Sequence, residues 1–335
     1  MTRRGVMVSV AVAVVWAGLL GVLVRLGPPR LGNPARGAAA GGAPDGAKTL
    51  GYLEQWARRD RWDRFPESPS FAFYNLYATR ALGGAVSPEL RAQVVEYLRS
   101  CQARDGGFTA TPGTGESHVV ATLYALRTLA LLGALDAIDR PRAVEFLASL
   151  KARDGGFRGR AGEAGASLGT TYHALAGLEL LGALDRADRS GAAAFVASHR
   201  AADGGFALRR GATSSPVATF MAVRSLKLAG ALDAATSAAV AAYLQGSRYS
   251  GRLREGKFTS PPELEEEAHV LAALADLGRL DLVDRGEVER FVSSLYVAEN
   301  GGYGPRPGLG TTPPSTYHAV ACLVALGRLP SPAGG

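Results

Sequence analysis

Two kinds of apolar pattern alternate along this chain. From Thr170 to Leu181 the residues are apolar nearly all round, with one acidic side chain. That pattern predicts a helix buried on both sides. Gly182 stands where the chain can turn left-handed after the helix ends, and Asp185 predicts an N-cap for the next helix. The following stretch, to about His199, is more polar and predicts an outward-facing helix. In the preceding unit Pro141 falls near a helix start, where a missing N–H costs nothing.

The alternation has a fixed period. DGGF occurs at Asp105–Phe108, Asp154–Phe157 and Asp203–Phe206, 49 residues apart each time, with degenerate copies EGKF at Glu255–Phe258 and NGGY at Asn300–Tyr303. A second marker, Gly-X-Leu-Asp, recurs at Gly133–Asp136, Gly182–Asp185, Gly230–Asp233 and Gly278–Asp281. Such a period means stacked helix pairs, none able to bury its apolar face alone. Counting backwards adds an outer helix at 52–59 and an inner one at 71–82, giving six pairs within residues 48–330. Six pairs can form an open solenoid or close into a ring.

Ahead of the repeats, Gly5 to Val24 is a run of 20 residues without a charge, bounded by Arg4 and Arg25. As a helix it would span about 30 Å, the thickness of bilayer hydrocarbon. Residues 1–25 are therefore expected to be a single-pass membrane anchor rather than a cleaved signal. Residues 26–47, rich in Gly, Ala and Pro, are expected to be a linker. A short N-tail followed by such a tether places the repeat domain on the extracytoplasmic side.

Charge changes the picture little. The net charge is +7, but six basic residues and one acidic residue fall in the first 48 positions, leaving the rest at +2. That near-neutral body excludes a nucleic-acid binder, which needs a concentrated basic face. Two cysteines, Cys101 and Cys322, exclude a disulfide framework and a Cys-rich zinc module.

The segment HVVATLYALRTLALLG (His118–Gly133), with GGFRGR (Gly155–Arg160) and TYHAVACL (Thr316–Leu323), resembles protein prenyltransferase β subunits. The turn from Gln102 to Phe108 is similar to the repeat of squalene and terpene cyclases. The resemblance covers about 85% of the chain. It implies an all-α, closed (α/α)6 toroid whose lumen holds an isoprenoid or other apolar ligand.

Counting nine residues back from each closing glycine gives Tyr74, Tyr124, His173, Met221, His269 and His318. On inner helices this ring would face the lumen, which makes Tyr124, His173 and His269 candidate substrate contacts. The family's zinc is held by an Asp, a Cys two residues later, and a His in the last unit. His318 matches the histidine, but no cysteine stands at the second position. Glu265 and Glu267 are the nearest substitutes. Two carboxylates and one imidazole suit Zn2+ and also harder ions. For a diphosphate, Arg160 fits the family's GGF-X-G-Arg pattern, and Arg209 and Arg210 follow on the next turn.

These residues support three readings. One is a membrane-anchored, prenyltransferase-like protein with an isoprenoid site. The second is a non-catalytic lipid- or protein-binding toroid. The third is a carbohydrate-active toroid, which would need a carboxylate-lined cavity. A prenyltransferase normally has a partner α subunit and a cytosolic face, which an exported domain would lack.

Overall fold

The computed structural model describes residues 44–57, 68–253 and 264–332. Among the described residues there are twelve α-helices and no β-strand beyond isolated bridges. The odd-numbered helices are α1 Gly46–Ala57, α3 Pro88–Cys101, α5 Arg140–Ser149, α7 Arg189–Ala197, α9 Ala234–Leu253 and α11 Arg285–Ser294. The even-numbered helices are α2 Ser68–Ala81, α4 Val119–Leu131, α6 Leu168–Leu180, α8 Pro216–Ala229, α10 Leu264–Asp276 and α12 Pro313–Ala325. Each even helix packs on the even helices before and after it, and α12 packs back on α2. The ring is closed, and the even helices are its inner layer.

Local chemistry fixes the ends of these helices. Asp139, Asp188 and Asp284 cap the outer helices α5, α7 and α11 through backbone N–H groups. Asp185 is not the cap that the sequence pattern predicts. It lies in a one-turn 3-10 helix, Leu184–Arg186, and that extra turn moves the cap three residues on. Ser167 and Thr170 form a reciprocal capping box on inner helix α6.

The Asp-Gly-Gly-aromatic turns join inner layer to outer layer. Phe108, Phe157 and Phe206 are fully buried, and Tyr303 takes the same place in the last unit. Their N–H groups donate to Thr122, Thr171, Thr219 and Thr316 at 2.9–3.1 Å. The first glycine of each turn lies against the next unit's outer helix. Gly155 has φ 90°, and a Cβ there would sit 2.4 Å from the Gly191 carbonyl oxygen. Gly301, φ 83°, stands in the same relation to Lys48 of α1, at 2.5 Å, so the last unit docks on the first. The degenerate turn at 255–258 lies outside the described residues.

The expected transmembrane helix and single-pass membrane location need correction. Among the described residues, no helix is long and apolar enough to cross a membrane. The run from Gly5 to Val24 lies outside them, as does nearly all of the linker. Cys101 and Cys322 are buried, and neither is joined in a disulfide.

Candidate functional site

The ring counted from the glycines exists as a layer of touching side chains. The Tyr74 and Tyr124 hydroxyls are 2.8 Å apart. Tyr124 meets His173 at 6.4 Å between ring centroids, His269 meets His318 at 5.8 Å, and His318 returns to Tyr74 at 6.0 Å. The remaining gap is bridged by Tyr172 and Phe220, which stand one residue earlier on their helices: His173–Tyr172 5.1 Å, Tyr172–Phe220 5.5 Å, Phe220–His269 5.0 Å. Met221 stands in the same layer, facing Gly169. An aromatic and imidazole belt therefore runs round the whole ring. Its six counted members are all partly exposed, whereas the neighbours Leu123, Ala125, Ala174 and Ala222 are completely buried. All six stand on the inner helices of the closed ring.

The histidines of the belt are neutral at physiological pH. Burial pulls His173 and His269 down to about 4 and His318 to about 3. The charge on Arg127 pushes His173 and His269 in the same direction, and His269 so acts on His318. The Nδ1–H of His173 donates to the Gly169 carbonyl and that of His269 to the Glu265 carbonyl. Each keeps an unprotonated Nε2. Burial also raises the pKa of Tyr74, Tyr124 and Tyr317, so all three stay as phenols.

Arg127, three residues after Tyr124, was not reached by the counted register. Its guanidinium donates to the Tyr172 hydroxyl at 2.6 Å and lies 5.6–5.9 Å from the Phe73, Tyr124 and Tyr172 ring centres. Burial works against its charge, but the facing hydroxyls of Tyr172, Tyr124 and Tyr317 outweigh that and hold its pKa above the ordinary arginine range. The sequence signal for it is simple: it is the only charged residue between Val119 and Leu131 in an otherwise apolar inner helix.

The proposed metal set is not assembled. Glu265 is partly exposed and lies one turn before His269, on the same face of α10. Glu267 is buried, 4% exposed, and two residues before the belt. That is the register of Thr122, Thr171, Thr219 and Thr316, whose hydroxyls turn to the aromatic-turn backbone. Among the described residues no group of three His, Cys, Asp or Glu side chains could hold a metal ion. With no thiolate and with Glu267 in the wall, the donors do not fit the family's zinc.

The candidate phosphate ligands are spread over two turns. Arg160 is exposed and pairs with Glu116 at 3.1 Å. Arg209 and Arg210 are exposed on the next turn, and Arg210 stacks on Phe195 at 5.4 Å. His118, also outside the counted register, caps α4 by accepting from Val120 N–H. It lies so close to Gly159 that a Cβ there would be 2.6 Å from His118 Nε2. Burial lowers its pKa, Glu163 opposes that, and Arg160 adds to it. His118 and Arg160 thus share one corner of the rim.

The model of the prenyltransferase alpha-alpha toroid domain matches residues 52–256 and 267–332. Protein geranylgeranyltransferase-I from Candida albicans, complexed with GGPP, is similar over 84% of this chain and 90% of its own, at 17% identity and a TM-score of 0.72. A variant of the type II terpene cyclase MstE from Scytonema, in complex with geranylgeranyl dihydroxybenzoate, matches 84% of this chain and 96% of its own, at 15% identity and a TM-score of 0.58. The ent-copalyl diphosphate synthase from Streptomyces platensis matches 80% of this chain but 54% of its own, at 21% identity and a TM-score of 0.51. At these identities the likeness is one of fold. No curated protein matches the chain.

Proposed function

Because the chain belongs to the prenyltransferase alpha-alpha toroid family, we propose that it binds an isoprenoid chain in the hollow of its helical ring, as a prenyltransferase-like protein. The observation that carries this reading is the closed belt of Tyr74, Tyr124, His173, Met221, His269 and His318. Phenols and neutral imidazoles present an uncharged, largely apolar wall, which suits a hydrocarbon chain better than a sugar. None of the six belt positions is a carboxylate, whereas a carbohydrate-active site needs paired acids. Two of the similar structures are complexes with GGPP and with geranylgeranyl dihydroxybenzoate, which supports an isoprenoid as the ligand class. His118 and Arg160 would meet a diphosphate at the rim, with Arg209 and Arg210 on the following turn.

Arg127 weighs against a cyclase. A carbocation needs the faces of nearby aromatic rings, and here a permanent cation already stands over Phe73, Tyr124 and Tyr172.

Calorimetric titration of the full chain with geranylgeranyl diphosphate tests the proposal. Saturable binding is expected, and Met221→Trp, which fills the hollow, should abolish it. Unchanged affinity in that variant would place the lipid elsewhere and sink the reading.

A further inference from the structure

Arg127 carries a permanent charge among the belt side chains, and the groups that the fold sets round it are phenols and aromatic rings rather than a carboxylate. A guanidinium has five N–H donors, and one of those on Arg127 is used by Tyr172. Among the described residues no carboxylate pairs with it. Asp276, one acid of the inner layer, is taken by Arg224 and Lys227, both at 2.9 Å. The charge of Glu265 acts on Tyr74 and Tyr124. The three belt histidines are uncharged. Tyrosine hydroxyls and ring faces soften the isolation of the cation, but they bring no counter-charge.

The geometry also restricts what could pair with it. Phe73, Tyr124 and Tyr172 stand within 6 Å of the guanidinium carbon. These rings leave the guanidinium with N–H donors beyond the one bonded to Tyr172. An edge fork of two N–H groups matches the two oxygens of a carboxylate. One guanidinium balances one negative charge, and a diphosphate would stay under-neutralised here. The wall adjoining it is hydrocarbon and aromatic.

From this arrangement we propose that Arg127 is the anion receptor of the hollow, and that the hollow binds an apolar monocarboxylic acid with its carboxylate on Arg127 and its chain along the aromatic belt. The inference rests on the reading of the hollow as a site for apolar chains, and adds a head-group preference and an orientation to it. Arg127 here is a binding residue, with no bond made or broken.

The test is calorimetric titration of the full chain with dodecanoate and, in parallel, dodecanol. Dodecanoate is expected to bind roughly 10- to 100-fold more tightly than dodecanol, the usual size of a charge-assisted pair. Arg127→Met should erase that difference and leave dodecanol binding intact. Arg127→Lys, a point charge without the fork, should restore part of it. Equal binding of acid and alcohol, or a preference that survives in Arg127→Met, overturns the anion-receptor assignment while the apolar-chain reading stands. If neither probe binds, both readings fall. If Arg127→Met does not fold, the comparison of the two probes on the unaltered chain, together with Arg127→Lys, still decides the question.

Discussion

Arg127 on α4 and Tyr172 on α6 join neighbouring inner helices through one hydrogen bond of 2.6 Å, guanidinium to phenol. This polar tie crosses an otherwise apolar helix contact, and its energetics differ from those of a salt bridge. A buried charge without a counter-charge is costly. An apolar side chain of similar length removes that cost while losing one hydrogen bond. Because the facing tyrosines offset that cost, Arg127→Met is expected to unfold in urea at a stability within about 2 kcal/mol of the parent. A loss of more than about 2 kcal/mol would make Arg127 a structural residue and remove the reason for assigning it a ligand.

Phe157 is fully buried and its N–H is held by Thr171. Phe157→Ala should cost about 3–5 kcal/mol by leaving a cavity between the layers. Thr171→Val keeps the shape but orphans a buried N–H, and should cost about 1–3 kcal/mol. Denaturant midpoints of the two variants should fall in that order. A neutral Phe157→Ala would contradict the turn's role as a plug.

Ring closure makes a separate prediction. Gly301 combines a positive φ with a Cβ position 2.5 Å from the Lys48 carbonyl oxygen. Gly301→Ala should lower stability by at least about 1–3 kcal/mol, because backbone would have to move against backbone. Gly51 lies on α1 with open space round its Cβ position. Gly51→Ala should raise stability by about 0.5–1 kcal/mol. If both changes have the same sign, the last turn does not press on the first helix as described.

The helix pairs and their register were legible because each unit repeats its markers: a closing glycine, an aromatic turn and an apolar helix between them. Closure was not legible, because it depends on α12 meeting α2 and on Gly301 meeting Lys48, contacts between opposite ends of the chain. The belt residues came from counting alone, since equal offsets on equivalent helices share a face. Glu267 was misplaced by following a family offset for a metal ligand. The same offset in four other units reads Thr122, Thr171, Thr219 and Thr316, a wall position already visible in the repeat. Asp185 was misplaced for a local reason, a 3-10 turn that no periodicity signals. Arg127 was missed because the count stopped at one layer, although a lone charge in an apolar inner helix marks the next.

The belt histidines set the pH dependence of stability. His173 and His269 fall to about 4 and His318 to about 3 in the folded ring, against about 6.5 when unfolded. Between those limits the unfolded chain binds more protons than the folded one, so stability rises with pH. Their contribution is fully present above about pH 6.5 and is lost as pH falls towards 4 and then 3. Each histidine adds a slope of at most about 1.4 kcal/mol per pH unit. The window from pH 6.5 to 5 is the cleanest, because ordinary carboxylates titrate below it. His118, whose pKa is also lowered, contributes in the same direction. Urea unfolding across that window should show stability falling with acid, and His318→Asn should flatten the slope by about one histidine's share. The positive charge of Arg127 opposes protonation of His173 and His269, so Arg127→Met should raise their folded pKa values, reduce the total stability they lose on acidification and make the folded protein more tolerant of acid. A slope unaffected by His318→Asn would mean that the imidazoles protonate freely in the folded state, and the hollow would then be wet and polar rather than a wall for an apolar chain.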